Sequence, residues 1–156
     1  MNYKNKIFIN ALSAKLGGGI TYIENLLQYI DYIDSEIYII TSGKFKIPNS
    51  NKIKEVKSRF ARKNIFYRFV WELFYLPFFL FKNKINVLFV PGGLDLTLFT
   101  YKSKKVTMFR NMLPFDKKII DKISGIKFKN YILKRLMLIT MRSSDGIIFI
   151  SSYAKK

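Results

Sequence analysis

Cysteine and histidine are both absent from this chain of 156 residues. Without cysteine there are no disulfides and no thiol nucleophiles, and without histidine there is no imidazole base for a Ser-His-Asp triad. Ordinary zinc sites are excluded as well, because they draw most of their ligands from these two residue types. The lack of cysteine also fits a reducing compartment.

Acidic residues are scarce. The chain has 10 Asp and Glu against 28 Lys and Arg, and its formal net charge is +18. The excess is uneven, because residues 101–156 hold 14 basic and 3 acidic side chains, against 14 and 7 in residues 1–100. Such a field attracts nucleic acid, anionic lipid or phosphorylated ligands. An AT-rich coding bias, which inflates lysine together with Ile, Asn, Phe and Tyr, is the alternative explanation.

No segment is apolar enough to span a membrane. The longest apolar stretch, Ile65 to Phe81, contains Arg68, Glu72 and Pro77 and is at the short end of the required length. The N-terminal run from Ile7 to Leu12 is too short for a signal peptide and indicates a strand. With 49% hydrophobic residues, the chain is expected to fold as one globular domain covering residues 1–156.

Strand and helix patterns alternate along the chain. Helical spacing or all-round apolarity predicts helices over Ile20–Ile33, Asn64–Phe81 and Ile126–Met141, with Pro77 bending or ending the second. The predicted strands are Ile7–Leu12, Glu36–Ser42, a polar edge strand near Ile53–Ser58, Val87–Val90, Lys105–Phe109 and Gly146–Ile150. This order predicts an α/β fold: a Rossmann-like, open, mainly parallel sheet of about six strands with helices on both faces.

Ligands of such sheets bind beyond the carboxyl ends of the strands. The first of these loops carries Gly17, Gly18 and Gly19 and leads into the first helix. Three adjacent glycines let backbone amides approach a ligand, and the helix N-terminus adds positive potential, so this loop suits a phosphate or another anion. It is neither a nicotinamide fingerprint nor a P-loop, since G-x-G-x-x-G and Gly-Lys-Ser/Thr are missing. A tight turn without a ligand is the structural alternative.

Three segments together resemble a known family. They are Asn10-Ala11-Leu12-Ser13 to Gly17-Gly18-Gly19-Ile20-Thr21-Tyr22, then Arg110-Asn111-Met112-Leu113-Pro114-Phe115, then Ser144-Asp145-Gly146-Ile147-Ile148-Phe149-Ile150-Ser151 with the residues up to Lys156. In this order they resemble the N-terminal domain of family-4 glycosyltransferases of the GT-B fold.

The resemblance implies an acceptor-binding domain that faces a donor-binding domain across a cleft. It implies that Gly17, Gly18 and Gly19 contact the diphosphate of a nucleotide-sugar donor, and that transfer retains anomeric configuration without metal or cofactor. A glycan or a lipid-linked acceptor, and a role in bacterial surface polysaccharide synthesis, follow from the same resemblance.

Two departures from the family pattern affect these expectations. The chain ends at Lys156, where the next helix of the family starts, so the donor domain with its E-x(7)-E motif is expected to be absent and the chain to be inactive alone. Many relatives carry a histidine near the cleft, whereas this chain has Arg110 and Asn111 there, which leaves the catalytic group unassigned. We accordingly expect weak or undetectable nucleotide-sugar binding by this chain alone.

Four further residues are candidates for the acceptor or the cleft. Asp95, Arg110, Asn111 and Ser151 all follow predicted strands. Arg110 and Asn111 suit a sugar hydroxyl or the charge on a leaving diphosphate, with loop capping as the alternative. Turn formation is the alternative for Asp95, and helix capping is the alternative for Ser151.

Two surfaces are candidates for partners. Lys127, Lys134, Arg135 and Arg142 share a stripe about 100° wide on a helix, which suits either anionic lipid headgroups or plain solvation. The aromatic-rich helix over 64–81 suits a bilayer interface, a lipid-linked acceptor or another subunit, although a well-covered core helix is the simpler interpretation. The expected location is the cytoplasm, with peripheral contact to the inner face of the membrane.

Two other classes of function remain open at this point. A basic nucleic-acid-binding module fits the charge, but no groove-reading or RNA-binding motif is visible. A non-catalytic subunit that is completed by a partner chain fits the missing donor domain.

Overall fold

The computed structural model describes residues 5–15, 17–43, 46–110, 113–116 and 127–150, and its centre is a six-stranded parallel sheet. The spatial order of the strands is β3-β2-β1-β4-β5-β6. Their bounds are β1 Asn5–Ala11, β2 Ser35–Thr41, β3 Ile53–Glu55, β4 Val87–Val90, β5 Lys104–Phe109 and β6 Gly146–Phe149. Every pairing is parallel, and β1 pairs with both β2 and β4. The prediction of a Rossmann-like α/β fold is confirmed.

The three predicted helices are present, although the first ends at Gln28 and not at Ile33, and the short helix at Arg59–Lys63 was not predicted. The helices are α1 Gly18–Gln28, α2 Arg59–Lys63, α3 Ile65–Val70, α4 Leu76–Lys82 and α5 Lys127–Arg142, with a π-helical turn at Trp71–Tyr75 and 3-10 turns at Ile30–Tyr32 and Leu113–Phe115. Asn64 caps α3, because its Oδ1 accepts from the Tyr67 amide at 3.0 Å. The polar strand predicted near Ile53–Ser58 is shorter than expected, and it lies at an edge as predicted.

Pro77 does not end the long helix. The backbone passes from α3 through the π-helical turn into α4, and Pro77 lies in the first turn of α4. Pro77 directly follows the π-helical turn, and its fixed φ is compatible with the first turn of the α-helical segment that continues to Lys82.

Each face of the sheet has its own apolar core. Ile9 and Ala11 of β1 pack with Ile23 and Leu27 of α1. The alternate residues Phe8 and Leu12 pack on the opposite face, in a core with three residues of the long helix: Trp71, Leu76 and Leu80. This alternation is what a strand covered on both faces produces.

Only one side of the long helix is covered. Trp71, Leu76 and Leu80 are buried, whereas Phe74 and Phe78 are exposed. The interpretation of this segment as a well-covered core helix is therefore wrong. The sheet covers only one stripe of apolar side chains on a helix. This helix also has apolar side chains on the side that faces away from the sheet.

The connection from β4 to β5 contains no helix, and none of the predicted helices falls there. Residues 91–103 return along the sheet without forming a helix. Buried polar contacts hold this connection. In one of them, the Asp95 amide donates a hydrogen bond to the Thr140 hydroxyl of α5 at 3.0 Å.

Candidate functional site

The candidate site lies where the strand order reverses, between the carboxyl ends of β1 and β4. This is the place where open parallel sheets bind ligands. The loops that follow the two strands touch each other, because a Cβ atom added to Gly92 would lie 1.7 Å from Ser13 Oγ. Only glycine fits at position 92 while Ser13 keeps this position.

The Ser13 hydroxyl is the first polar group of the site. Its oxygen is buried, and it finds no hydrogen-bond partner among the described residues. A buried hydroxyl without a partner costs free energy, so such groups are uncommon and indicate a bound water, an ion or a ligand.

The three glycines begin α1 at the carboxyl end of β1. Gly17 has φ +50°, a conformation that glycine adopts without strain, and its carbonyl accepts from the Ile20 amide at 2.9 Å. The amides of Gly18 and Gly19 lie in the first turn, and neither has an acceptor within the described ranges. Gly18 is exposed and Gly19 is half-buried, so the Gly18 amide is open to a ligand and the Gly19 amide partly so.

Arg110, at the carboxyl end of β5, reaches the glycine loop. Its Nη2 donates to the Gly18 carbonyl at 2.6 Å, and its guanidinium carbon lies 4.8 Å from the centroid of the Tyr22 ring. Burial raises the pKa of the Tyr22 phenol, and the positive charge of Arg110 partly opposes that rise. The structure thus brings together the glycine loop and Arg110, which the sequence placed in separate segments.

The cationic group of Arg110 has no carboxylate within 4.0 Å in the part of the chain that the structure describes. Its guanidinium and the first-turn amides of α1 form a partly exposed set of donors. Such a set suits an anion with several acceptor oxygens, of which a phosphate or diphosphate is the common example.

A second cavity, which we call the basic pocket, opens beside this loop at the ends of β1 and β2. Its volume is about 250 Å³, and its lining includes Lys15, Arg62 and Arg68. Arg62 is paired with Glu55 and Arg68 with Glu72, so the unpaired positive charge of this lining comes from Lys15. Arg62 is fixed there, since its Nε donates to the Thr41 carbonyl at 2.8 Å and its Nη2 lies 3.0 Å from Glu55 Oε1. Lys15 is exposed and forms no ion pair with any described residue. The pocket can therefore offer a cation to a small anionic or polyhydroxylated group.

Asp95 does not line the cleft. Its side chain is 0% exposed, and Lys105 Nζ, Asn10 Nδ2 and the Thr97 amide surround its carboxylate at 2.7, 2.6 and 2.8 Å. The bond from the Thr97 amide is the turn contact that the structural alternative predicted. An acceptor would have no access to this carboxylate in the arrangement of the described residues.

Asp95 belongs to a buried polar cluster that sequence reasoning missed. Glu72 Oε1 accepts from Asn10 Nδ2 at 2.8 Å and from Arg68 Nε at 2.7 Å, and its Oε2 accepts from the Leu96 amide. We call Asn10, Arg68, Glu72, Asp95 and Lys105 the buried network. Burial raises the pKa of Glu72, and the nearby charge of Asp95 adds to the rise, while Arg68 opposes it. Two cations and two carboxylates neutralise one another here.

The basic stripe on α5 is only partly exposed. Arg135 and Arg142 are exposed, but Lys134 is half-buried and its ammonium lies 5.0 Å from the centroid of the Phe115 ring. The backbone of Lys127 starts the helix. Two further candidates, Asn111 and Ser151, lie outside the described residues.

Neither a protein-family model nor a curated protein matches this chain. In the described part of the chain, no helix is long and apolar enough to cross a membrane. The fold and the geometry of the loops therefore carry the functional argument.

Proposed function

We propose that this chain is the acceptor-side domain of a retaining, nucleotide-sugar-dependent glycosyltransferase. The observation that carries the proposal is the contact between Arg110 and the Gly18 carbonyl, at 2.6 Å. It supports a single anion site made from the glycine loop and a guanidinium, at the edge of the sheet where ligands bind.

The proposed chemistry assigns this site to the leaving group. Sugar transfer breaks the bond between the anomeric carbon and the donor diphosphate, so negative charge develops on the phosphate oxygen that departs. Donors from Arg110, Gly18 and Gly19 would stabilise that charge, and each charge-assisted hydrogen bond is worth about 1.5–3 kcal/mol. The donor-binding domain that completes such enzymes would supply the remaining contacts with the nucleotide.

The basic pocket is the proposed place for the acceptor. It adjoins the glycine loop through Leu12 and Lys15, and its arginines and lysine suit a sugar hydroxyl or an acidic substituent on a glycan. A lipid-linked acceptor in bacterial surface polysaccharide synthesis, reached from the cytoplasmic face of the membrane, is the substrate that we propose.

The test is a titration of the full chain with pyrophosphate and with uridine diphosphate, followed by amide NMR. We expect saturable but weak binding, in the millimolar range, with the largest shifts at Gly18, Gly19 and Tyr22. Arg110→Gln should weaken binding about tenfold, because one charge-assisted contact is lost. Arg142→Gln, which removes an exposed arginine on α5, is the matched control and should leave the affinity unchanged.

Three results would contradict the proposal. They are shifts confined to α5, an equal loss in the two arginine variants, and the absence of saturable shifts. Salt-dependent binding of arbitrary oligonucleotides with a higher affinity than pyrophosphate would favour the nucleic-acid alternative instead. Co-purification of the chain with a separate donor-binding subunit would support the alternative of a domain completed by a partner.

A further inference from the structure

A cluster of exposed aromatic side chains covers the outer side of the long helix and the connection that follows β4. Phe74, Phe78, Phe81, Phe99 and Tyr101 are each between 58% and 70% exposed. We call these five residues the aromatic face. Single exposed apolar residues are ordinary, but a contiguous set of large rings marks an interaction surface.

The five rings form one surface although they come from two segments. Phe74, Phe78 and Phe81 follow one another at helical spacing, and the Phe81 ring lies 5.3 Å from that of Tyr101 between centroids. Phe74, Phe99 and Tyr101 line one groove of about 530 Å³, together with Leu73, Pro77, Leu98 and Thr100. This shared groove and the contact between Phe81 and Tyr101 join the two segments into one surface.

The charge around this face has one sign. Residues 56–103 contain two acidic residues, Glu72 and Asp95, and both are 0% exposed within the buried network. The exposed basic residues of the same stretch are Lys57, Arg59, Lys63, Lys82, Lys84 and Lys102. Lys82, Lys84 and Lys102 line one cavity of about 470 Å³ together with Phe81 and Tyr101, so cations border the rings directly.

Exposed rings bordered by lysines, with no exposed carboxylate among them, match the chemistry of an anionic lipid surface. Aromatic side chains settle at the boundary between headgroups and acyl chains, and lysines extend to the phosphates. A second copy of this chain is a poor occupant, since two such faces would bring their positive charges together.

We propose that the aromatic face docks on an anionic bilayer, with the five rings at the headgroup boundary and Lys82, Lys84 and Lys102 on lipid phosphates. This inference deepens the proposed function, because it names the surface that would meet a membrane carrying the acceptor. It assigns that role to this face and not to the stripe on α5.

The experiment is co-sedimentation of the full chain with vesicles of equal phosphatidylglycerol and phosphatidylcholine, and with vesicles of phosphatidylcholine alone. We expect binding to the mixed vesicles to exceed binding to the neutral ones by at least tenfold. The variant K82Q/K84Q/K102Q should lower the partition coefficient about 100-fold, since each basic residue near the surface contributes about fivefold. The variant F78S/F99S should lower it on both kinds of vesicle.

Two matched controls use residues of α5. K134Q/R135Q/R142Q removes the same number of charges from the stripe, and F128S/Y131S removes two exposed rings. Both should bind vesicles within about twofold of the parent chain, because none of these residues lines the two cavities that the five rings border. Circular dichroism of all variants should be unchanged, since every altered side chain except Lys134 is exposed.

Vesicle binding tests this inference, and pyrophosphate binding tests the proposed function. If the stripe variant loses vesicle binding and the aromatic variant keeps it, the inference is wrong. It is equally wrong if F78S/F99S converts a dimer into a monomer without changing vesicle binding, because the occupant is then a second copy. Pyrophosphate binding should be the same in F78S/F99S and the parent chain, and its absence from both would overturn the proposed function alone.

Discussion

The buried network and the glycine-loop site are built from similar polar and charged groups, yet they differ in how completely those groups are paired. In the buried network, Asp95 and Glu72 each contact two or more donors and have no exposed surface. At the glycine-loop site, the Ser13 hydroxyl and the first-turn amides of α1 have no partner among the described residues.

This difference separates a structural role from a binding role. A closed set of buried ion pairs holds segments together. Here it anchors residues 94–97 to β1 through Asn10, to the long helix through Arg68 and Glu72, and to β5 through Lys105. Open donors at the end of a sheet remain available to a ligand. The degree of pairing therefore distinguishes the two regions better than their charge does.

The largest predicted effect comes from breaking the buried network at Lys105. Lys105→Met removes the cation 2.7 Å from Asp95 Oδ1 and leaves a buried carboxylate without its countercharge. We expect the free energy of unfolding to fall by about 3–5 kcal/mol, which is the usual cost of removing one partner of a buried pair. Urea unfolding followed by circular dichroism measures this change.

The adjacent lysine gives a matched control. Lys104 lies 2.9 Å from Asp145 Oδ1, but its side chain is 74% exposed. Lys104→Met should change stability by less than about 1 kcal/mol, because exposed ion pairs contribute little. Similar losses in the two variants would mean that Asp95 is solvated in solution and that the two regions do not differ as described.

A smaller effect is predicted where the two loops of the candidate site touch. Gly92→Ala would place Cβ within 1.7 Å of Ser13 Oγ, so the loops must move apart. We expect a loss of about 1–3 kcal/mol, as is typical of overpacking, together with weaker pyrophosphate binding. Thermal unfolding and the NMR titration measure the two effects.

The double variant S13G/G92A tests whether this contact is the cause. Removing the Ser13 side chain removes the atoms that a Cβ at position 92 would meet, so the double variant should recover at least about 1 kcal/mol relative to G92A. If the double variant is as unstable as the sum of the two single ones, the loops do not touch in solution and the site is more open than described.

Sequence patterns predicted the fold well, because the strands and helices are indicated by the spacing of apolar residues that are close together in the chain. The apolar runs of β1, β2 and β4 indicate strands buried on both faces, and the helical spacing from Ile20 indicates α1. The bounds of β4 were predicted correctly, those of β1, β2, β5 and β6 differ from the prediction by one or two residues, and β3 ends three residues early. The buried contacts that hold the connection after β4 were not foreseen, because its polar anchors come from distant segments.

The candidate site was predictable only in part. Three glycines between a strand and a helix indicate an anion-binding loop, whereas nothing local shows that Arg110 reaches Gly18, 92 residues earlier. Asp95 was assigned to the cleft because it follows a strand, and the pattern could not show that Lys105 and Asn10 enclose it. Lys105 is the second residue of β5 and follows Lys104, so no local pattern indicates that its ammonium is buried against Asp95.

The smallest predicted effect lies at Asp145, where the exposed rim of the sheet meets the buried network. Asp145 Oδ2 accepts from the Lys105 amide at 2.9 Å, and this bond, followed by the one from Lys104 Nζ, lowers the pKa of Asp145 below its usual 3.8. The unfolded chain therefore takes up this proton first as the pH falls, and stability is lost as the pH drops through 3.8 toward the folded-state pKa.

Asp145→Asn removes that titration, so its stability should fall less steeply than that of the parent chain below pH 3.8. Urea unfolding at several pH values measures the two slopes, and the difference should shrink as salt is added. Equal slopes would show that the Lys105 amide does not hold this carboxylate ionised. Lys105 binds Asp145 through its backbone amide and Asp95 through its ammonium, and K105M removes only the ammonium. If K105M loses much stability but its stability depends on pH below 3.8 as that of the parent chain does, the loss comes from the buried Asp95 carboxylate alone.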